Sequence, residues 1–263
     1  MRKLAKLSLW MLHQQMRIEP KRIFKVILGM PRFVRDFLRF KKLYGGNIEI
    51  LPCVTDWDEE GGTARGEYFW QDLYVARKIN KANPRRHVDI GSRVDGFVAH
   101  VASFRSIEVI DIRPIRVKVP GMIFSQADLM RLEGSYESCT DSISCLHALE
   151  HFGLGRYGDP INPLGHEVAL QNMSKMLSEG GIFYLAVPIG RARVEFNGLR
   201  VFDPKYIEKL AAICDLALKE FSYIGANDVL TTSSEPMKDF ENIATQEYAL
   251  GIYIFHKRPC RTL

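Results

Sequence analysis

Three acidic residues stand just past short apolar runs. Asp89 lies in Val88-Asp89-Ile90-Gly91-Ser92-Arg93-Val94-Asp95-Gly96, where an apolar run meets a glycine turn and then a helical stretch. Glycine there lets the backbone approach a ligand closely, and a helix start offers free N–H groups. Asp111 ends the next run, Glu108-Val109-Ile110-Asp111, followed by Ile112. It comes about twenty residues after the first acid, the position from which a carboxylate holds ribose hydroxyls. Asp128 with Leu129, in Gln126-Ala127-Asp128-Leu129, pairs an acceptor for an adenine amino group with an apolar cover for its ring. The GxGxxG of a dinucleotide fold is absent, since only Gly91 and Gly96 are present. Three acids with few glycines suit S-adenosylmethionine, which has no pyrophosphate and carries an ammonium and a sulfonium. Asp89, Gly91, Ser92, Arg93, Gly96, Asp111, Ile112, Asp128, Leu129 and His147 are therefore the expected cofactor-binding set.

A second group follows the fourth apolar run, in Leu146-His147-Ala148-Leu149-Glu150-His151. A histidine titrates near neutrality and suits removal of a proton from a poor nucleophile such as a sugar hydroxyl. His151 is the expected base, with His147, nearer the cofactor, as its rival. The opposing reading makes His151 a packing residue at a helix start. His147, Glu150, His151 and the distant His166 are also residue types that bind divalent ions. They loosely resemble the metal motif of RNA-terminal ribose methyltransferases, but that pattern has Glu where His147 stands, so no metal is expected. Arg156 and Tyr157 in a glycine-rich loop, and Arg191, Arg193, Asn197 and Arg200 after the fifth run, are the expected substrate-binding residues. Arginine forks there suit a carboxylate or phosphate.

These residues need a framework. The chain has 263 residues, 46% apolar and 25% charged, an ordinary globular balance. Short β-like runs at 87–90, 106–112, 121–125, 141–146 and 181–188 alternate with helical stretches. Runs near 216–224 and 248–256 follow and suggest an antiparallel edge. This rhythm predicts an α/β fold with a doubly wound, mostly parallel sheet. The net charge of +5 is uneven: residues 1–42 hold twelve Lys/Arg against two acids. Residues 1–45 thus form a basic, helical N-terminal extension, and 46–263 the main domain. Three helical stretches are expected in the extension: 1–18, one from Pro20, and one from Pro31 that stops at Gly45-Gly46. Two readings of it stay open, a helical cap on the domain or an arm lying on an anionic membrane surface. Nucleic acid finds no support outside this arm. No run is long enough to span a bilayer, and residues 1–12 lack a signal-peptide cleavage site. Five scattered cysteines without a CxxC pair point to a reducing compartment. The expected location is the cytoplasm, peripherally at the inner face of the membrane if the arm binds it.

HVDIGSRVDGFVAHVA, EVIDIRP, QADLM, DSISCLHALEHFG and LSEGGIFYLAVP, in this order, resemble the successive motifs of class I S-adenosylmethionine-dependent methyltransferases over about residues 65–225. HALEHFGLGRYGDPI with VPIGRARVEFNGLRVF is similar to a poorly characterised branch of that superfamily, a domain of unknown function whose bacterial members often accompany surface-glycan genes. The resemblance implies a seven-stranded Rossmann-like sheet with a reversed last strand. It also implies O-methylation of a sugar in a surface glycan or its precursor. A catalytically inactive scaffold and an RNA ribose methyltransferase are the alternatives. One departure matters: where the family reads DxGxGxG, Arg93 and Asp95 replace two glycines and Gly96 is displaced by one. Arg93 either folds away from the cofactor or crowds it.

Overall fold

In a computed structural model, residues 20–57, 64–132 and 136–259 are described; the helix expected over 1–18 lies outside them. The chain divides into two units, residues 1–63 and 64–263.

The first unit contains α1 (Pro20–Leu43), one helix of 24 residues with Pro31 inside it. The two helices expected on either side of Pro31 are therefore continuous. A proline removes one intrahelical hydrogen bond and crowds the preceding turn, and contacts around it hold this helix together. The Val54 carbonyl and Trp57 ring press so close to Gly29 that any Cβ there would lie 2.2 Å from the Val54 oxygen. One turn on, Arg32 lies over the Trp57 ring, 4.5 Å from its centre.

The second unit begins with α2 (Glu67–Ala82). Then come β1 (His87–Ile90), a π-turn over Val94–Val98 running into α3 (Ala99–Ala102), β2 (Ile107–Asp111) and β3 (Met122–Gln126). After β4 (Thr140–Leu146) follow α4 (Gly165–Met176), β5 (Leu177–Ile189) and a hairpin of β6 (Arg193–Glu195) and β7 (Leu199–Val201). The last elements are α5 (Pro204–Ile213), β8 (Leu216–Ile224), β9 (Leu230–Thr232), α6 (Pro236–Ile243) and β10 (Ala249–Lys257).

The described strands form an eight-stranded sheet in the order β3-β2-β1-β4-β5-β10-β8-β9. The expected seven strands are all present, and the short β9 adds an eighth at the edge. β10 runs antiparallel to both β5 and β8, so the reversed strand lies inside the sheet, not at its margin. β10 is apolar and buried from Ala249 to Phe255, a composition that suits a central strand.

Helices cover both faces. Val88, Ile90, Phe183 and Leu185 pack with α4, α5 and α6 through Leu170, Met173, Ile207 and Phe240. Val109, Tyr184 and Ile252 pack on the other face with Val75 and Ile79 of α2 and with Phe97, Val98 and Val101. Because strand side chains alternate, His87 and Asp89 face opposite to Val88 and Ile90. Cys53, Cys139, Cys145 and Cys214 are free thiols. Among the described residues no helix is long and apolar enough to cross a membrane.

Candidate active site

The carboxyl ends of β1, β2, β3 and β4 open into a cleft. One side is floored by Gly91, Ile110 and Leu129, with Ala127, Ile112 and Phe152 as apolar walls and Asp111 and Asp128 as acids. Gly91 has φ +70°, a conformation that favours glycine, and a Cβ there would come within 3.1 Å of the Ala148 methyl. The Asp111 carboxylate accepts the Arg113 backbone N–H at 2.8 Å and both arms of its guanidinium at 3.0 and 2.7 Å. A carboxylate offers about four acceptor sites, so roughly one remains for a ligand hydroxyl. The Arg113 guanidinium also lies over the Tyr157 ring at 4.1 Å. Asp128 caps the short turn after β3, accepting the Met130 N–H through Oδ1 at 2.9 Å.

The adjoining, more polar end is lined by Glu67, Tyr68, Arg93, Glu150, Arg156 and Tyr248, and shares His147, His151 and Tyr157 with the first. Glu150 is 1% exposed. Its Oε1 is 3.0 Å from His147 Nδ1 and 3.6 Å from His151 Nε2, and its Oε2 lacks a hydrogen bond. His147 has φ +52° and packs under the Tyr68 ring at 4.5 Å. Burial disfavours its charged form, but the hydrogen bond to Glu150 and the charges of Glu150, Glu67 and Asp72 outweigh that and raise its pKa. Its Nε2, otherwise unpaired, faces Glu67 Oε1 at 3.5 Å. The Tyr248 hydroxyl donates to the same Glu67 carboxylate.

His151 is the opposite case. Burial and the cations Arg156 and His147 lower its pKa against the pull of Glu150. Its Nδ1–H donates to the Gly198 carbonyl at 2.8 Å, which fixes the tautomer and leaves Nε2 as an acceptor. Gly198 belongs to the β6–β7 hairpin, so that hairpin orients the imidazole.

A loop organised by one carboxylate presents Arg156 and Tyr157. Asp159 accepts the N–H groups of Gly153, Gly155 and Tyr157. Gly153 has φ +77°, and a Cβ there would sit 1.9 Å from the Asn162 carbonyl oxygen. Left-handed backbone and overpacking each cost about 1–3 kcal/mol. Gly153→Ala is accordingly expected to lower stability by about 3 kcal/mol, read as a drop in the urea midpoint.

Several expected residues lie elsewhere. Asp89 is fully buried on the sheet face opposite to Ile90, outside the cleft. It accepts the N–H and hydroxyl of Ser92 at 3.0 and 2.7 Å and the Ser144 hydroxyl at 2.5 Å, so Asp89 and Ser92 shape the first loop from beneath. Gly96 faces Asp72, whose Oδ2 would lie 2.5 Å from a Cβ, and its smallness serves helix packing. Arg93 folds away from the nucleoside side, paired with Asp95 at 3.0 Å and lying over Tyr68. Arg191 and Arg193 bind the carbonyls of Arg191, Thr245 and Glu247 and the Glu247 carboxylate. Asn197, in the turn between β6 and β7, does not line the cleft. Arg200 is 5% exposed and braces the carbonyls of Glu150, Phe152 and Pro163 instead of facing a ligand. His166 bonds Tyr206, away from the other histidines, and no group of three metal-ligating side chains occurs among the described residues. Sequence reading missed Glu67, Tyr68, Arg113 and Tyr248. Only the β2 end carried a local signal, in the Arg two residues after Asp111.

The family model described as "Caenorhabditis protein of unknown function, DUF268" matches residues 116–246. No curated protein matches the chain in sequence. Among solved structures, the 1,6-didemethyltoxoflavin-N1-methyltransferase of Burkholderia thailandensis, with 1,6-didemethyltoxoflavin and S-adenosylhomocysteine bound, is 12% identical, with TM-score 0.52 over 92% of each chain. The N-methyltransferase NodS of Bradyrhizobium japonicum, in complex with S-adenosylhomocysteine, is 14% identical, with TM-score 0.50 over 74% of this chain and 89% of that one. Sheet order, reversed strand and cleft position agree with these likenesses: the chain carries the Rossmann-like fold of the class I S-adenosylmethionine-dependent methyltransferases.

Proposed function

We propose that this protein is an S-adenosylmethionine-dependent methyltransferase acting on a hydroxyl oxygen, that of a sugar in a surface glycan or its precursor. One observation carries the reading. A single cleft has nucleoside-suited walls at one end, and at the other a histidine whose tautomer leaves Nε2 free to accept a proton.

The residues present fit the cofactor. Asp111 keeps an acceptor site for a ribose hydroxyl, Asp128 has an oxygen beyond its backbone cap, and Ile112, Ala127, Leu129 and Phe152 give an apolar slot. Gly91 leaves bare backbone beside His147, and the unpaired Glu150 Oε2 suits a cationic or hydroxylated neighbour. When bound, S-adenosylmethionine supplies an electrophilic methyl group on its sulfonium.

His151 takes the acceptor proton at Nε2. Glu150, 3.6 Å away, then stabilises the imidazolium. Glu150 and Glu67 shift His147 toward its charged form, which makes it a weaker base than His151; it holds Glu150 in place. Tyr68, Tyr157 and Arg156 line the acceptor end. Among the described residues no carboxylate pairs with Arg156, which suits a phosphorylated or acidic sugar. Holding the acceptor next to the methyl supplies much of the acceleration.

Calorimetric titration with S-adenosylhomocysteine tests the foundation. Binding is expected, weakened about tenfold by Asp111→Asn, which removes a charge-assisted hydrogen bond of about 1.5–3 kcal/mol. Absence of heat with any S-adenosyl ligand would overturn the enzymatic reading and leave a scaffold.

A further inference from the structure

We infer that α1 is a docking helix for the surface of an anionic phospholipid bilayer. The argument is independent of the catalytic reading.

Ile23, Ile27, Met30, Val34 and Leu38 fall on one stripe of the helix at spacings of four, three, four and four. Lys25, Arg32 and Arg39, spaced by seven, run along the opposite side. The stripe is open: Ile23 is 58% exposed, Ile27 62%, Val34 47% and Leu38 52%. Among residues 23–43 only Gly29 is buried. A helix in water draws most of its stability from covering such a face, so the stripe needs an occupant.

Charge decides which. Residues 20–43 contain eight Lys/Arg and a single acid. That acid, Asp36, is already held by Arg35 at 3.0 Å and Arg32 at 3.7 Å. The occupant must therefore offer apolar depth and negative charge together. A bilayer with anionic headgroups does both: the stripe enters the headgroup boundary while the cations meet phosphates and carboxylates. A second copy of the helix would set eight cations against eight. A nucleic acid would satisfy the cations but leave the stripe in water. No described helix is long and apolar enough to span the bilayer, so α1 lies on it.

The test is flotation of the full-length protein with vesicles of phosphatidylcholine alone or mixed with phosphatidylserine. Flotation with the mixed vesicles only, reversed by high salt, is the expected result. Arg35→Gln with Arg39→Gln changes only exposed polar positions and is expected to weaken partitioning about 30-fold, at about tenfold per 1.4 kcal/mol and about 1 kcal/mol per cation. Val34→Asp with Leu38→Asp is expected to abolish it. Protein that stays at the bottom with the mixed vesicles overturns the inference. So does concentration-dependent dimerisation, or salt-sensitive RNA binding that Val34→Asp with Leu38→Asp leaves unchanged, when either replaces flotation.

Discussion

Replacing His151 with alanine is expected to lower kcat for methyl transfer by about 10²–10⁴-fold, the usual contribution of a positioned general base. Affinity for S-adenosylhomocysteine should change only a few-fold. The split follows from the geometry. Asp111, Asp128 and Leu129 wall the nucleoside end, whereas His151 Nε2 reaches toward the polar end and Glu150. The pH profile adds a second readout. The base works only when neutral, so activity should rise with pH through the His151 pKa. Burial, Arg156 and His147 place that rise below 6.5. Glu150→Gln removes the charge that opposes this lowering, so the rise should move to still lower pH, with a smaller loss of kcat. Equal losses in cofactor affinity and kcat for His151→Ala would mean that the imidazole only packs the helix start.

The strand ends were readable because a short apolar run followed by glycine or an acid is a local pattern. β1 at His87–Ile90 and β8 at Leu216–Ile224 match their expected bounds. The structure places Gly91, Asp111, Asp128, His147, His151, Arg156 and Tyr157 around one cleft. Pairing order is not local: the apolar composition of β10 suits a central strand, but nothing in its residues says which two strands it lies between. Asp89 shows a limit of another kind. Its distance from the glycine turn fits a ligand-binding acid, but strand alternation aims it at Ser92 and Ser144. The arginines fail for a third reason. Arg200 bracing three carbonyls and Arg156 lining a cleft look alike in a sequence. Glu67 and Tyr248 meet across 181 residues, a separation that hides their hydrogen bond from any local pattern.

Three buried groups should together take about 4 kcal/mol from the stability of the fold between pH 7 and pH 4. His87 is 1% exposed, with Ser142 Oγ 2.8 Å from Nδ1 and Ser144 Oγ 3.1 Å from Nε2. Hydroxyls both donate and accept, so the neutral ring is satisfied there, while burial and the Arg105 charge push its pKa down to about 3. Burial and Arg200 push His166 down to about 4. Both folded pKa values lie below the ordinary 6.5, so the unfolded chain takes up protons first and stability falls as pH drops through 6.5. At about 1.4 kcal/mol per unit, each histidine costs about 3 kcal/mol by pH 4. Asp89 works the other way. Burial raises it to about 6 from 3.8, so its neutral form favours the fold and returns about 2 kcal/mol as pH falls from 6 to 4. The histidines outweigh it. His87→Gln should shrink the difference in unfolding free energy between pH 7 and pH 4 by about 3 kcal/mol, measured by urea titration at each pH. An unchanged difference would show that His87 is not held neutral. The Ser144 hydroxyl beside His87 also bonds Asp89, which holds Ser92 and the loop of Gly91. Asp89 loses its charge as pH falls through about 6 while His87 stays neutral down to about 3, so any loosening of that loop, read as weaker affinity for S-adenosylhomocysteine, should begin near pH 6 and precede loss of the secondary structure.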